Sequence, residues 1–181
     1  MGKVLVAYAS WAGSTAEVAE AVGQELRAGG SSVDVRAAGD VKDVAPYSSV
    51  VVGAAVRAGR LHGGATGFVD RHRTALSKLP VAYFVVCLTM KDPTDKNRDM
   101  SAGFLKGLTE RFPEVRPVSV GLFAGAVRCD EESLSKLPLV QRLVLKAMKK
   151  AAGDFRDWNA IRAWARELPA RFAADRGGQS A

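Results

Sequence analysis

A short turn near the amino terminus, Ser10–Thr15, carries residue types that suit the binding of a phosphate group. It joins an apolar run, Val4–Tyr8, to a segment whose apolar residues have helical spacing. The first turn of a helix has backbone N–H groups without carbonyl partners, at the positive end of the helix dipole. Together with the hydroxyls in the turn, these groups predict a phosphate site held by hydrogen bonds, with no Lys or Arg inside the turn.

Two other phosphate-binding motifs do not fit this turn. A P-loop requires a Lys after its second glycine, and the dinucleotide fingerprint requires three glycines, but the turn has only Gly13 and no Lys follows it. An ordinary helix capped by Ser or Thr remains an alternative.

The pattern instead resembles the flavodoxin signature, whose positions are filled here by Tyr8, Ser10, Gly13, Thr15 and Ala19. The resemblance implies that the whole turn wraps the phosphate of FMN. Its residues are Ser10, Trp11, Ala12, Gly13, Ser14 and Thr15.

Length and composition indicate one domain. The chain has 181 residues, a net charge of +7 and two cysteines, Cys87 and Cys129, outside any Cys-x-x-Cys motif. No apolar run approaches the ~20 residues of a membrane span, and no signal segment is recognised at the start. We expect a cytoplasmic protein with a single domain over residues 1–175 and a disordered tail at 176–181. The positive charge indicates either an anionic partner or an arginine-rich solvated surface.

Apolar strands alternate with helical segments along the chain, which predicts an α/β fold with a parallel sheet. The predicted strands are Val4–Tyr8, Val33–Ala37, Ser49–Ala54, Val81–Leu88 and Val118–Phe123. The predicted helices are Ser14–Ala28, Gly67–Lys78, Asp99–Arg111 and Asp157–Ala174. With a phosphate turn after the first strand, we expect a flavodoxin-like three-layer sandwich whose five strands have the order 2-1-3-4-5.

In that order a ligand binds where strands 1 and 3 end. The loops Ala54–Gly64 and Leu88–Asp92 should therefore face the site together with the phosphate turn. The candidates for contacting the ring of the cofactor are Ala54, Ala55, Val56, Arg57, Ala58 and Gly59 in one loop and Leu88, Thr89, Met90 and Lys91 in the other.

The loop Ala54–Gly64 offers no Trp or Tyr for stacking and carries Arg57, Arg60 and His62 instead. A cation near the pyrimidine end of a flavin stabilises its reduced form, which favours two-electron oxidation of a substrate. These three residues are the candidates for a catalytic role, with proton transfer as the task of His62. The alternative is that all three are ordinary surface residues of the loop. No residues have the spacing of a metal site.

A narrower resemblance covers nearly the whole chain. The segments Gly53–His62 and Phe123–Arg128, with Asp157 and Trp158 opening the last helix, resemble the menaquinone-dependent protoporphyrinogen IX dehydrogenases of bacteria. The resemblance implies an FMN enzyme that oxidises protoporphyrinogen IX and reduces a quinone. It also implies that Gly125 and Ala126 complete the pocket.

Two other functions remain as alternatives. The first is a flavodoxin-type electron carrier between protein partners, against which the positive net charge and the loop arginines argue. The second is a nucleic-acid-binding module, which ranks last because the sequence has no recognition helix and no strand motif of aromatic and basic residues.

The segment Arg128–Gly153 is far longer than an ordinary connection, and the dehydrogenase family carries an insertion at this place. Within it, Leu139–Lys150 places Leu139, Val140, Leu143, Val144 and Ala147 on one helical face and basic residues mostly on the other. Such a helix suits peripheral contact with the inner face of the cell membrane, or simple packing on the domain. The oligomeric state is left open.

Overall fold

The computed structural model describes residues 2–127 and 153–178. The proposed insertion helix Leu139–Lys150 and Cys129 lie outside the described residues, as do residues 179–181 of the predicted tail. The strands are β1 Val4–Ala9, β2 Val33–Ala37, β3 Ser49–Arg57, β4 Arg60–Leu61, β5 Val81–Cys87, β6 Pro117–Ala124, β7 Ala126–Val127 and β8 Gly153–Asp154. The helices are α1 Ser14–Ala28, α2 Gly63–Leu76, α3 Asp95–Gly103, α4 Lys106–Thr109 and α5 Trp158–Gly178, and a 3-10 turn covers Leu88–Lys91.

The central sheet has the parallel strand order β2-β1-β3-β5-β6. This is the predicted order 2-1-3-4-5 once the short strand β4 is left out of the count, so the flavodoxin-like α/β fold is confirmed. Strand β4 pairs antiparallel with the end of β3, and β7 pairs antiparallel with β8 in a separate two-stranded ribbon. The ribbon brackets the segment between residues 127 and 153.

The sheet is buried on both faces because its strands alternate their side chains between two apolar clusters. On β1, Leu5 belongs to the cluster that contains residues of α2 and α4, whereas Val6 belongs to the cluster that contains residues of α1 and α5. Phe68 of α2 and Ile161 of α5 are both fully buried. The alternation of apolar side chains along the strands therefore gives the three layers. Parallel pairing of β1 with β3 and of β3 with β5 places their carboxyl ends side by side.

Three predicted helices have the wrong bounds. The predicted helix Asp99–Arg111 is replaced by two short helices, α3 and α4. Helix α3 begins at Asp95, because the Thr94 hydroxyl caps it by accepting the Asn97 N–H at 3.3 Å, and it ends at Gly103. Helix α2 begins four residues earlier than predicted, because His62 caps it and overcomes the poor helix propensity of its first glycines. Helix α5 extends past the predicted end at Ala174 to Gly178.

Candidate functional site

A cleft of about 470 Å³ opens where β1, β3 and β5 end. Its lining comes from the turn before α1, the end of β3, the end of β5 with the 3-10 turn, and the ribbon strand β7. The lining residues are Ser10, Trp11, Ala12, Ser14, Ala55, Val56, Arg57, Ala58, Gly59, Val86, Cys87, Leu88, Thr89, Phe104, Gly125, Ala126 and Val127. The cleft therefore lies at the reversal in strand order, where ligands bind in such sheets.

Most residues that the sequence predicted for a cofactor line this cleft, but five do not. Ala54 and Met90 are buried in the core cluster beneath it. Gly13 and Thr15 belong to the turn itself without lining the cavity, and Lys91 is exposed with its Nζ 4.3 Å from the centre of the Phe155 ring.

Four residues of the lining were not predicted: Val86, Cys87, Phe104 and Val127. Val86 and Cys87 are the last residues of β5, and counting the strand end with its loop would have found them. Phe104 follows α3, so the wrong bounds of the predicted helix concealed it.

The turn Ser10–Thr15, here called the phosphate turn, leads into the first N–H groups of α1. Gly13 has a left-handed backbone (φ 89°) that a residue with a Cβ adopts only at a cost, and its N–H donates to the Ser10 hydroxyl at 3.0 Å. The first hydrogen bond along α1 runs from the Glu17 N–H to the Gly13 carbonyl at 3.1 Å. The N–H groups of residues 14–16 therefore precede the helical ladder and have no carbonyl partner within it.

Thr15 contributes a further feature of the phosphate turn that suits a ligand. Its side chain is fully buried, and its Oγ1 has no hydrogen-bond partner among the residues that the structure describes. A buried hydroxyl without a partner costs free energy, so native proteins rarely retain one. Hydroxyls and open N–H groups at the positive end of a helix dipole fit a phosphate well.

The loop predicted at Ala54–Gly64 is largely regular structure, which corrects the sequence analysis. Strand β3 continues to Arg57 and turns back through Ala58 (φ 50°) and Gly59 (φ 72°) into β4. Two left-handed residues are what a two-residue hairpin turn requires, but Ala is a costly choice for the first of them. Arg57 pairs directly with Arg60, which places two positive residues opposite each other in residues 57–60, here called the arginine hairpin.

The three catalytic candidates are separated by the fold. Arg57 lines the cleft, while Arg60 is exposed and does not. His62 lies outside the lining and caps α2, with its Nδ1 accepting the Gly64 N–H at 3.0 Å. Its ring is 4.3 Å from the ring of Trp11, and partial burial lowers the pKa of His62. His62 is therefore a neutral cap that contacts the phosphate turn through Trp11.

Sequence analysis did not find Arg156, which connects two parts of the cleft. Its side chain is only 2% exposed and forms ion pairs with Glu17 and Asp154. One of its nitrogens also donates to the Ser14 carbonyl at 3.4 Å, and its guanidinium lies 4.4 Å from the centre of the Trp158 ring. The hydrogen bond with Asp154 raises the pKa of Arg156, against the opposing effect of burial.

Arg156 thus joins the ribbon, whose strand β7 lines the cleft, to the first turn of α1. One further hydrogen bond extends the ribbon, since the Phe155 N–H donates to the Gly125 carbonyl at 3.2 Å. In the described part of the chain no group of His, Cys, Asp and Glu side chains could hold a metal ion. None of the described helices has the length and apolar character needed to cross a membrane.

Fold and site together define a flavodoxin-type α/β protein with a cleft and a phosphate-type turn at the ends of β1 and β3. The family profile described as Flavodoxin domain matches residues 5–159. The chain therefore belongs to the flavodoxin family.

The chain is similar to two relatives with the same name. One is the protoporphyrinogen IX dehydrogenase (quinone) of Escherichia coli (strain K12), which is 26% identical over 177 residues, covering 92% of this chain and 94% of the relative. The other is the enzyme of that name from Leishmania major, which is 27% identical over 182 residues, covering 93% of this chain and 75% of the relative.

Solved structures show the same fold. A flavodoxin from Pseudomonas aeruginosa matches with a TM-score of 0.52 at 15% identity, covering 94% of this chain and 99% of its own. The rubredoxin oxygen:oxidoreductase of Desulfovibrio gigas matches with a TM-score of 0.50 at 16% identity, covering 96% of this chain and 37% of its own.

Proposed function

We propose that this protein is an FMN-dependent oxidoreductase that oxidises protoporphyrinogen IX and passes the electrons to a quinone. The observation that carries the proposal is the buried hydroxyl of Thr15, which has no hydrogen-bond partner within residues 2–127 and 153–178, beside helix N–H groups that precede the helical ladder, at one side of a cleft. The names of the two relatives support the choice of substrates. FMN, when bound, supplies the redox chemistry, and the protein supplies its position and surroundings.

Different segments of the chain would contact different parts of the cofactor. The phosphate turn would hold the phosphate through the hydroxyls of Ser10, Ser14 and Thr15 and through backbone N–H groups. Small and apolar side chains from the ends of β3 and β5 leave room for a flat ring and exclude water from it. The ribbon residues Gly125 and Ala126 close the same cleft.

The rest of the cleft suits an apolar, anionic substrate. Leu88 is 41% exposed, which is unusual for so large an apolar side chain, and it lines the cleft together with Phe104. Protoporphyrinogen IX is an apolar macrocycle with two propionate groups. Arg57 is the cleft residue that can meet a carboxylate or the pyrimidine end of the flavin, because its guanidinium matches either acceptor.

The test is an assay of the purified protein reconstituted with FMN, in which porphyrin fluorescence follows the oxidation of protoporphyrinogen IX. We expect oxidation that depends on added menadione and disappears when FMN is removed. The matched control is an Arg60→Gln variant, which should retain its activity because Arg60 lies outside the cleft. A yellow protein that exchanges electrons with protein partners but leaves protoporphyrinogen unchanged would identify a carrier and contradict the proposal.

A further inference from the structure

Exposed apolar side chains are concentrated on one side of the cleft. In the described part of the chain the large apolar side chains that are exposed are Leu88, Met100 and Val120, with exposed fractions of 41%, 47% and 40%. Leu88 lines the cleft, and Met100 lies on α3, the helix that precedes the lining residue Phe104. A single exposed apolar residue is ordinary, but several of them grouped beside a cleft indicate a binding surface.

The backbone of α3 places Met100 and Phe104 on the same face. The helical conformation continues through Phe104, which has φ −64° and ψ −24°, and residues four apart in a helix are neighbours on its surface. The buried Ser101 hydroxyl lies 3.3 Å from the Cys87 thiol at the end of β5. Each residue of this contact is adjacent in the sequence to one of the exposed residues, Met100 or Leu88. Leu88, Met100 and Phe104 therefore form a group, here called the apolar strip, that runs from the cleft onto its rim.

The apolar strip is built on a segment that the protein itself holds in place. The Asn97 side chain donates to the Asp92 carbonyl at 2.7 Å, which joins the first turn of α3 to the residue that follows the 3-10 turn. The Thr94 hydroxyl caps the same turn of α3. A surface that is already held loses less conformational entropy when a ligand binds to it.

The size of the cleft limits which ligand can use the apolar strip. About 470 Å³ is the volume of a site for one small ligand, and FMN is a ligand of that size. A tetrapyrrole macrocycle would therefore have to lie against the mouth of the cleft rather than inside it. Its apolar body requires an apolar surface there, and its propionates require a cation such as Arg57, which lines the same cleft.

We propose that the apolar strip is the surface against which the macrocycle of the substrate binds, and that Met100 is a specificity-determining residue outside the cleft. The inference rests on the proposed function for the identity of the substrate. On binding, Leu88 and Met100 lose their exposure to water, and the affinity gained is proportional to the apolar area that they bury.

Binding of protoporphyrin IX, the stable oxidised form of the substrate, tests the inference. Its dissociation constant is measured by porphyrin fluorescence with the FMN-loaded protein, for the wild type and for Met100→Gln, which keeps nearly the same shape but has a polar end. We expect the affinity to fall by about fivefold, the size expected when roughly half of a methionine side chain is no longer buried. FMN affinity should stay within about twofold, because Met100 lies outside the lining of the cleft.

Val120→Thr is the matched control. Val120 is exposed to a similar extent but lies within β6, at the edge of the sheet, and does not line the cleft. The substitution should leave the affinities for protoporphyrin IX and for FMN unchanged.

Two further measurements identify the contact as one with the macrocycle. A double variant, Leu88→Gln with Met100→Gln, should lower the affinity for protoporphyrin IX by about 20-fold or more. The dimethyl ester of protoporphyrin IX has no charged carboxylates, and Met100→Gln should weaken its binding by the same factor as that of the acid.

Equal affinities of the wild type and Met100→Gln for protoporphyrin IX, or an equal loss in Val120→Thr, would overturn the inference. A loss confined to the binding of anionic phospholipid vesicles would also overturn it and would assign the apolar strip to a membrane surface. A wild-type protein that binds FMN but no porphyrin overturns the proposed function as well. Porphyrin binding that depends on Met100, without oxidation of protoporphyrinogen IX, would support the inference and contradict the proposed function.

Discussion

The phosphate turn and the arginine hairpin line the same cleft but use opposite means. The phosphate turn offers hydroxyls and backbone N–H groups and contains no charged side chain. The hairpin places Arg57 opposite Arg60 on a strained two-residue turn. Under the proposed function the difference indicates two tasks: uncharged donors for the phosphate, and a positive charge for the flavin ring or an anionic substrate.

A negative charge placed in the phosphate turn should cause the largest effect. In Ser14→Asp the carboxylate occupies the place of the phosphate, so we expect FMN affinity to fall by about 100-fold or more. The stability of the cofactor-free protein should stay equal or rise, because an acidic residue suits a helix N-terminus. Titration with FMN and thermal unfolding measure the two quantities. Ser14→Asn is the uncharged control, and a similar loss there would mean that shape, not charge, controls binding.

Removal of the orphan hydroxyl should have opposite effects on binding and on stability. Thr15→Val keeps the shape of the buried side chain and removes a hydroxyl that has no hydrogen-bond partner in the described part of the chain. We expect the cofactor-free protein to gain about 1 kcal/mol and FMN affinity to fall by about tenfold, the cost of one lost hydrogen bond to a charged group. Denaturant unfolding and FMN titration measure these changes.

Thr109→Val is the control for this prediction, because the Thr109 hydroxyl already donates to a helix carbonyl. It should not stabilise the protein. A loss of stability in Thr15→Val would mean that its hydroxyl has a partner in solution, and that the phosphate turn is complete without a ligand.

A change in the arginine hairpin should alter the midpoint potential of bound FMN more than it alters FMN affinity. In Arg57→Gln we expect the midpoint potential of bound FMN to fall by about 30 mV for each 1.4 kcal/mol of lost stabilisation of the reduced, anionic flavin. FMN affinity should change by less than about threefold. Redox titration against a dye of known potential gives the shift. Arg60→Gln should shift the potential less, and an equal shift in both variants would remove the distinction between the two arginines.

The smallest expected effect is on the pH dependence of stability, to which His62 contributes. Burial lowers the pKa of His62 and of His72, so the unfolded chain takes up protons first as the pH falls below about 6.5. Stability should therefore decrease from about pH 6.5 downward until the folded protein is protonated too. His62→Gln should reduce the total stability lost over this pH range by a measurable amount of less than about 1 kcal/mol, as determined by urea unfolding at several pH values. An unchanged slope would mean that His62 does not contribute.

The individual strands and the turn after the first of them could be predicted because each depends on residues that are adjacent in the sequence, whereas the sheet order followed from the resemblance to flavodoxins. Val4–Tyr8 reads as a strand by itself, and the turn follows it directly. Arg156 could not be found in this way, since its partner Glu17 is 139 residues away and only folding brings them together. The hairpin was missed because Ala58 is a poor residue for a left-handed turn. The burial of the Thr15 side chain likewise depends on packing that no local pattern specifies.

The most direct test of the account is a crystal structure of the protein grown with FMN. We expect a phosphate oxygen within hydrogen-bond distance of Thr15 Oγ1 and of the N–H groups that open α1, with the ring lying in the cleft beside Leu88 and Arg57. A structure in which the phosphate lies elsewhere, or in which the Thr15 hydroxyl bonds to the protein and the phosphate turn holds nothing, would contradict it.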